Sequence, residues 1–177
     1  MILPAIGLAV AALTNPCATL ATPALIDQLK QEFPNYRWPR ADESDEAAIK
    51  YSKGHGGATC LRVAAGDFDG DGAEDRAVLL SPFQSKSPVL LIAALRRRSG
   101  WQLAVLQRFH DTPRSFVVTG PPGTYEFFEP SATRTREDGE VLKLNATTAV
   151  IVTGTWEASE IVYGWKEGKW MHVWTSN

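Results

Sequence analysis

From Ala58 onward the hydrophobic positions form short runs separated by turn residues: Thr59 to Ala65, Arg76 to Leu80, Val89 to Leu95, Trp101 to Phe109, Phe116 to Thr119, Tyr125 to Phe128, Val141 to Leu144, Ala149 to Thr153, Ile161 to Trp165 and Trp170 to Trp174. Such runs predict strands. None of the intervals holds the roughly 10–15-residue amphipathic helix that a parallel sheet needs for its crossovers, so the strands are expected to be antiparallel. Ahead of them, Leu25, Leu29 and Phe33 recur four residues apart, which predicts a helix over Ala24 to Phe33 that Pro34 stops. The acidic run Asp42, Glu43, Asp45 and Glu46 reads as a solvated face, and Gly54-His55-Gly56-Gly57 as a flexible loop. The fold class expected is α+β, mainly an antiparallel β-sheet meander with one N-terminal helix after a signal peptide.

Two hairpins follow from glycine positions. Arg98-Ser99-Gly100 and Lys166-Glu167-Gly168 each place Gly third, as a three-residue loop with a left-handed last residue requires. For the second hairpin this pairs Trp165 with Lys169, Tyr163 with Met171 and Ile161 with Val173, and turns His172 and Trp174 to the other face.

The start of the chain changes the picture of where the domain works. No Asp, Glu, Lys or Arg precedes Asp27, and Ile2 to Leu13 is apolar. Small residues follow around Ala18, Ala21 and Ala24, and the profile is that of a secretory signal peptide. The stretch ends at Thr14-Asn15-Pro16, short of the roughly 20 residues a helical span needs. Cleavage after Ala21 divides the chain into a signal peptide (1–21) and one β-rich domain (22–177), periplasmic or secreted, with no membrane span in the mature chain. It would also remove Cys17 and leave Cys60 alone, with no intramolecular disulfide.

The whole chain has 177 residues, enough for one core, and a net charge of −2 with no broad basic field to draw it to nucleic acid.

The segment with the clearest chemistry is Gly66-Asp67-Phe68-Asp69-Gly70-Asp71-Gly72-Ala73-Glu74-Asp75. Side-chain oxygens stand at alternate positions Asp67, Asp69 and Asp71, a backbone carbonyl is available at Ala73, and a carboxylate follows at Asp75. Hard cations such as Ca²⁺ take about 6–8 oxygens, and only a tightly curled loop delivers them from consecutive residues. Gly70 and Gly72 permit that curl. Four converging carboxylates repel, by roughly 4 kcal/mol per pair at about 4 Å and an effective dielectric near 20, and a divalent cation reverses the sign. The loop contains no Cys or His for zinc, and magnesium prefers a stricter octahedron with retained waters. An EF-hand would need a Glu at the twelfth position, which is Val78.

The stretch VAAGDFDGDGAEDRAVLL resembles the FG-GAP or VCBS repeat, with its D-x-[DN]-x-[DN]-G-x-x-D pattern followed by an apolar strand. The resemblance implies calcium ligation by Asp67, Asp69, Asp71, Asp75 and the carbonyl of Ala73, with no role for Glu74. It covers a single copy of a motif that usually recurs in propeller blades, and in this it looks like small exported bacterial proteins of unknown function that carry one such loop.

Other residues offer weaker chemistry. Trp165 and Trp170, in an aromatic-rich tail, would form a ligand-binding platform for a glycan or protein if exposed and coplanar, and would be core if buried. His55, His110 and His172 are scattered, and Cys60 reads as a small buried hydrophobe. Arg96-Arg97-Arg98 reads as a solvated hairpin tip. The function expected is a non-enzymatic extracytoplasmic domain with a structural Ca²⁺ site and a protein or glycan partner. The alternative is a periplasmic hydrolase, which would need a cleft joining His55 or His110 to carboxylates.

Overall fold

The computed structural model describes residues 15–110, 113–128 and 136–176. The apolar segment Ile2 to Leu13, on which the signal-peptide expectation rests, lies outside them.

Every expected strand forms, and all pair antiparallel. The first sheet contains β1 (Tyr36–Arg37), β2 (Val63–Gly66), β3 (Asp75–Pro82), β4 (Val89–Arg97) and β5 (Gly100–Phe109). Its order is β1-β3-β4-β5, with β2 pairing the start of β3 (Val63↔Val78, Gly66↔Asp75) on the edge whose end is taken by β1 (Tyr36↔Pro82). Next come β6 (Ser115–Gly120) and a ribbon of β7 (Gly123–Glu126) with β8 (Lys143–Ala146). The second sheet is completed by β9 (Val150–Thr155), β10 (Ser159–Lys166) and β11 (Lys169–Ser176), in the order β11-β10-β9-β6.

Strand alternation stacks these parts in layers. Along β4, Val89, Leu91, Ala93 and Leu95 enter the core shared with the second sheet, where Ile151, Ile161 and Tyr163 meet them. The alternate residues Leu90, Ile92 and Ala94 face the helical side with Leu25, Leu29 and Trp101. A strand buried on both faces has no polar phase, which is why β4 reads as an unbroken apolar run. A third cluster, Phe127, Leu144, Val150, Val162 and Val173, packs the ribbon on the far face of the second sheet. Full burial of one such Leu or Val contributes about 1.5–3 kcal/mol.

Among the described residues there are two short α-helices. The expected one, α1 (Pro23–Glu32), starts at Thr22, whose hydroxyl accepts from the Leu25 amide, and buries Leu25 and Leu29. The second, α2 (Glu46–Gly54), lies where a solvated acidic run and a flexible loop were expected. Asp45 caps it by accepting from the amides of Ala47 and Ala48, so part of the acidic run is a helix start. Ala48 is its only buried residue, which leaves too little apolar periodicity to predict it.

Cys17 and Cys60 form a disulfide in the full chain, a pairing that the expected cleavage after Ala21 would rule out. Cys17 belongs to a 3₁₀ turn, Pro16–Leu20, that is part of the helical layer. Asn15 anchors this turn: its side chain accepts from the amides of Cys17 and Ala41 and donates to the Pro39 carbonyl, each at 3.1 Å. The Trp38 indole donates to the Cys17 carbonyl at 3.0 Å. A boundary after Ala21 would strip this turn from the fold.

The C-terminal hairpin differs from expectation by one residue. Trp165 pairs with Trp170, Tyr163 with His172 and Ile161 with Trp174, around a two-residue turn of Glu167 and Gly168. Both turn residues have positive φ, 51° and 84°, the backbone twist that matches paired strands. The expected three-residue loop counted only Gly168 as left-handed, and Glu167 shares that conformation.

Candidate metal loop

The Asp67–Asp75 loop is the turn between β2 and β3. Gly66↔Asp75 is the last pair of their ladder, so the loop's ends are held at strand spacing. Within it each aspartate folds back on nearby backbone. The Asp67 carboxylate accepts from the amides of Gly70 (2.8 Å) and Gly72 (3.0 Å), Asp69 from the Asp71 amide (3.2 Å), and Asp71 from the Ala73 amide (2.8 Å). Gly70 and Gly72 have φ of +81° and +83°, so the glycines do provide the left-handed bends.

One oxygen each of Asp67, Asp69 and Asp71 lies within 4.8 Å of the others, a trio of hard donors that could hold a metal ion. Asp75 stands outside that trio. Its fully buried carboxylate accepts from the Phe68 amide at 3.0 Å and the Arg96 amide at 2.7 Å. Burial pushes this carboxyl up to about 6, against the lowering effect of those two amides, and the charges of Asp69 and Asp71 add to the rise. Ala73 is half-buried, between the trio and Asp75.

The loop also reaches both sheets. Phe68 is completely buried in the core between them, and its carbonyl accepts from the Thr148 hydroxyl at 2.9 Å, next to β9. Arg96, whose amide holds Asp75, is in β4, and its guanidinium lies 4.9 Å from the Trp101 ring. Arg97 is not part of a solvated tip as expected: it turns to the loop and pairs with Asp69 and Asp71.

Trp165 and Trp170 are half-buried and meet edge to face, with centroids 5.2 Å apart and planes at 70°. They pack against the inter-sheet core, so the coplanar exposed platform that a stacking ligand needs is not formed.

Two features had no sequence signal because they join distant segments. Glu137, Glu140 and the buried His172 bring ligand atoms within 4.8 Å of one another. A cleft of about 530 Å³ lies where α2 covers β2 and β6, walled by Leu61, Val63, Val117 and Leu20. Tyr51 stands at this cleft, 4.1 Å from the His55 ring and 5.0 Å from the Trp156 ring. Among the described residues no Asp, Glu or Cys lines it, so the described wall does not pair His55 with a carboxylate. His110 is exposed just beyond β5, and its neighbour Asp111 lies outside the described residues.

In comparison with known proteins, the chain matches no family model, no curated protein and no solved structure.

Proposed function

We propose that this chain is a non-enzymatic extracytoplasmic domain in which Ca²⁺, held by Asp67, Asp69 and Asp71, clips a β-hairpin turn to two packed sheets. The observation that carries this reading is the convergence of three carboxylates on a loop that is itself bonded to β4 through Asp75 and, through Phe68, to Thr148 just before β9. Oxygen donors without nitrogen or sulfur favour calcium over zinc. A ligand seated there stabilises contacts between layers, so its role is structural. The Cys17–Cys60 disulfide supports a place in an oxidising compartment.

The test is a thermal melt of the full chain in Ca²⁺ and in chelator. Calcium at 100 times its dissociation constant stabilises the folded state by about 2.7 kcal/mol. At roughly 2–4 °C per kcal/mol this raises Tm by about 5–10 °C. Asp69→Ala is expected to remove the response. An unchanged wild-type Tm at millimolar Ca²⁺ would sink the proposal.

A further inference from the structure

We infer that Arg97 is a built-in competitor for the loop's cation, an internal counter-ion that must leave before calcium binds. The inference rests on the calcium reading of the loop.

Asp69 and Asp71 each use Oδ1 to accept an amide two residues further along the chain. Their other oxygens, Oδ2 of each, are the least committed to the loop's own backbone and the freest to meet a cation. The Arg97 guanidinium takes both: Nη1 lies 2.6 Å from Asp69 Oδ2 and 3.3 Å from Asp71 Oδ2. One nitrogen thus holds a pair of oxygens that a metal would need.

Arg97 is the last residue of β4, and its neighbour Arg96 ties that strand end to the loop through Asp75. Its Nε donates to Gln102 Oε1 on β5 at 3.1 Å, and its Nη1 also donates to the Arg96 carbonyl at 3.0 Å. The guanidinium is therefore aimed at the loop by both strands of a hairpin. The Asp69 side chain is only 6% exposed, so this contact is partly shielded from water, whereas Arg97 is 31% exposed and has a path outward.

Two consequences follow. When calcium is scarce, Arg97 relieves the repulsion between carboxylates, and the turn keeps its shape. When calcium binds, its apparent affinity is the intrinsic affinity multiplied by the fraction of molecules in which Arg97 has swung out. Arg97 is thus a residue that sets the calcium threshold without ligating the metal.

The experiment is calorimetric titration of CaCl₂ into the wild-type chain, Arg97→Gln, Gln102→Ala and Asp69→Ala, with thermal melts of each in chelator. Circular dichroism checks that each is folded. Removing a partly shielded ion pair is expected to tighten calcium binding by about two- to fivefold in Arg97→Gln. The same variant should melt lower than wild type in chelator. Gln102→Ala, which changes an exposed side chain outside the loop and only loosens the arginine, should shift affinity in the same direction by less. Unchanged or weaker binding in Arg97→Gln, with calcium still bound by wild type, overturns the inference and leaves the calcium site standing. Binding in Arg97→Gln alone supports the competition and overturns calcium binding by the natural chain. No binding in any variant overturns both.

Discussion

The disulfide offers the sharpest test of how this domain is held together. Replacing both Cys17 and Cys60 by Ala removes a cross-link between residues separated by 43 positions. In the loop-entropy treatment, closure over that length removes about 4 kcal/mol of chain entropy from the unfolded state. Both cysteines are buried in the helical layer, 0% and 3% exposed, so Ala keeps the site apolar and adds no stranded hydroxyl. At roughly 2–4 °C per kcal/mol the double variant should melt about 8–16 °C below wild type. Calorimetry of the full chain, with and without reductant, measures this, and a thiol titration under denaturing conditions should find no free cysteine in the wild type. A chain beginning at Thr22 lacks Cys17 and should lose the same cross-link. A melt unaffected by reductant and by the double substitution would refute the reasoning.

Other predictions concern the clasp under β3 and the turn of the metal loop. Glu43 is bonded by the Ser81 hydroxyl, the Arg40 amide and Arg37. Burial would raise its carboxyl, but these donors outweigh it and hold the group below its ordinary 4.5. A depressed carboxyl stabilises the fold above its unfolded value and loses that contribution as pH falls through the folded one, so stability from urea melts should decline below about pH 4.5. Glu43→Gln should cost about 1–3 kcal/mol at neutral pH and flatten that decline; an unaltered profile would count against the clasp. Gly70→Ala places a Cβ 2.9 Å from Thr148 Cγ2 at a φ of +81°. It should lose about 1–2 kcal/mol in chelator melts, and equal stability would show that the bend is not strained by a side chain.

Much of the architecture was legible because strands write themselves as short apolar runs. All ten runs became strands, but both hairpins turn on two residues rather than the three expected: Gly100 pairs with Arg97 as the first residue of β5, and Gly168 closes the second turn. The register at Trp165 was not legible, because a turn of two left-handed residues differs from one of three by the backbone of Glu167, a residue type that rarely adopts it. Helix α2 was missed since its face toward the body carries little more than Ala48. Strand β1 is a two-residue edge, too short for any period. The buried Arg62, which reaches Ser115 on β6, looks in sequence like any surface arginine.

The sequence by itself determined the β-rich class and the alternate carboxylates of Asp67, Asp69 and Asp71, since both depend on spacing within a few residues. Which oxygens remain for a cation was decided by the tertiary structure. Asp75 is drawn to the amides of Phe68 and Arg96, and Arg97 enters the loop from a hairpin more than a strand's length away in the chain. The joining of Cys17 to Cys60 was also a tertiary matter, as it required Asn15 and Trp38 to seat the N-terminal turn against the sheet. Local spacing specifies which groups are available, and only packing between distant segments sets their neighbours, their charge balance and their access to water.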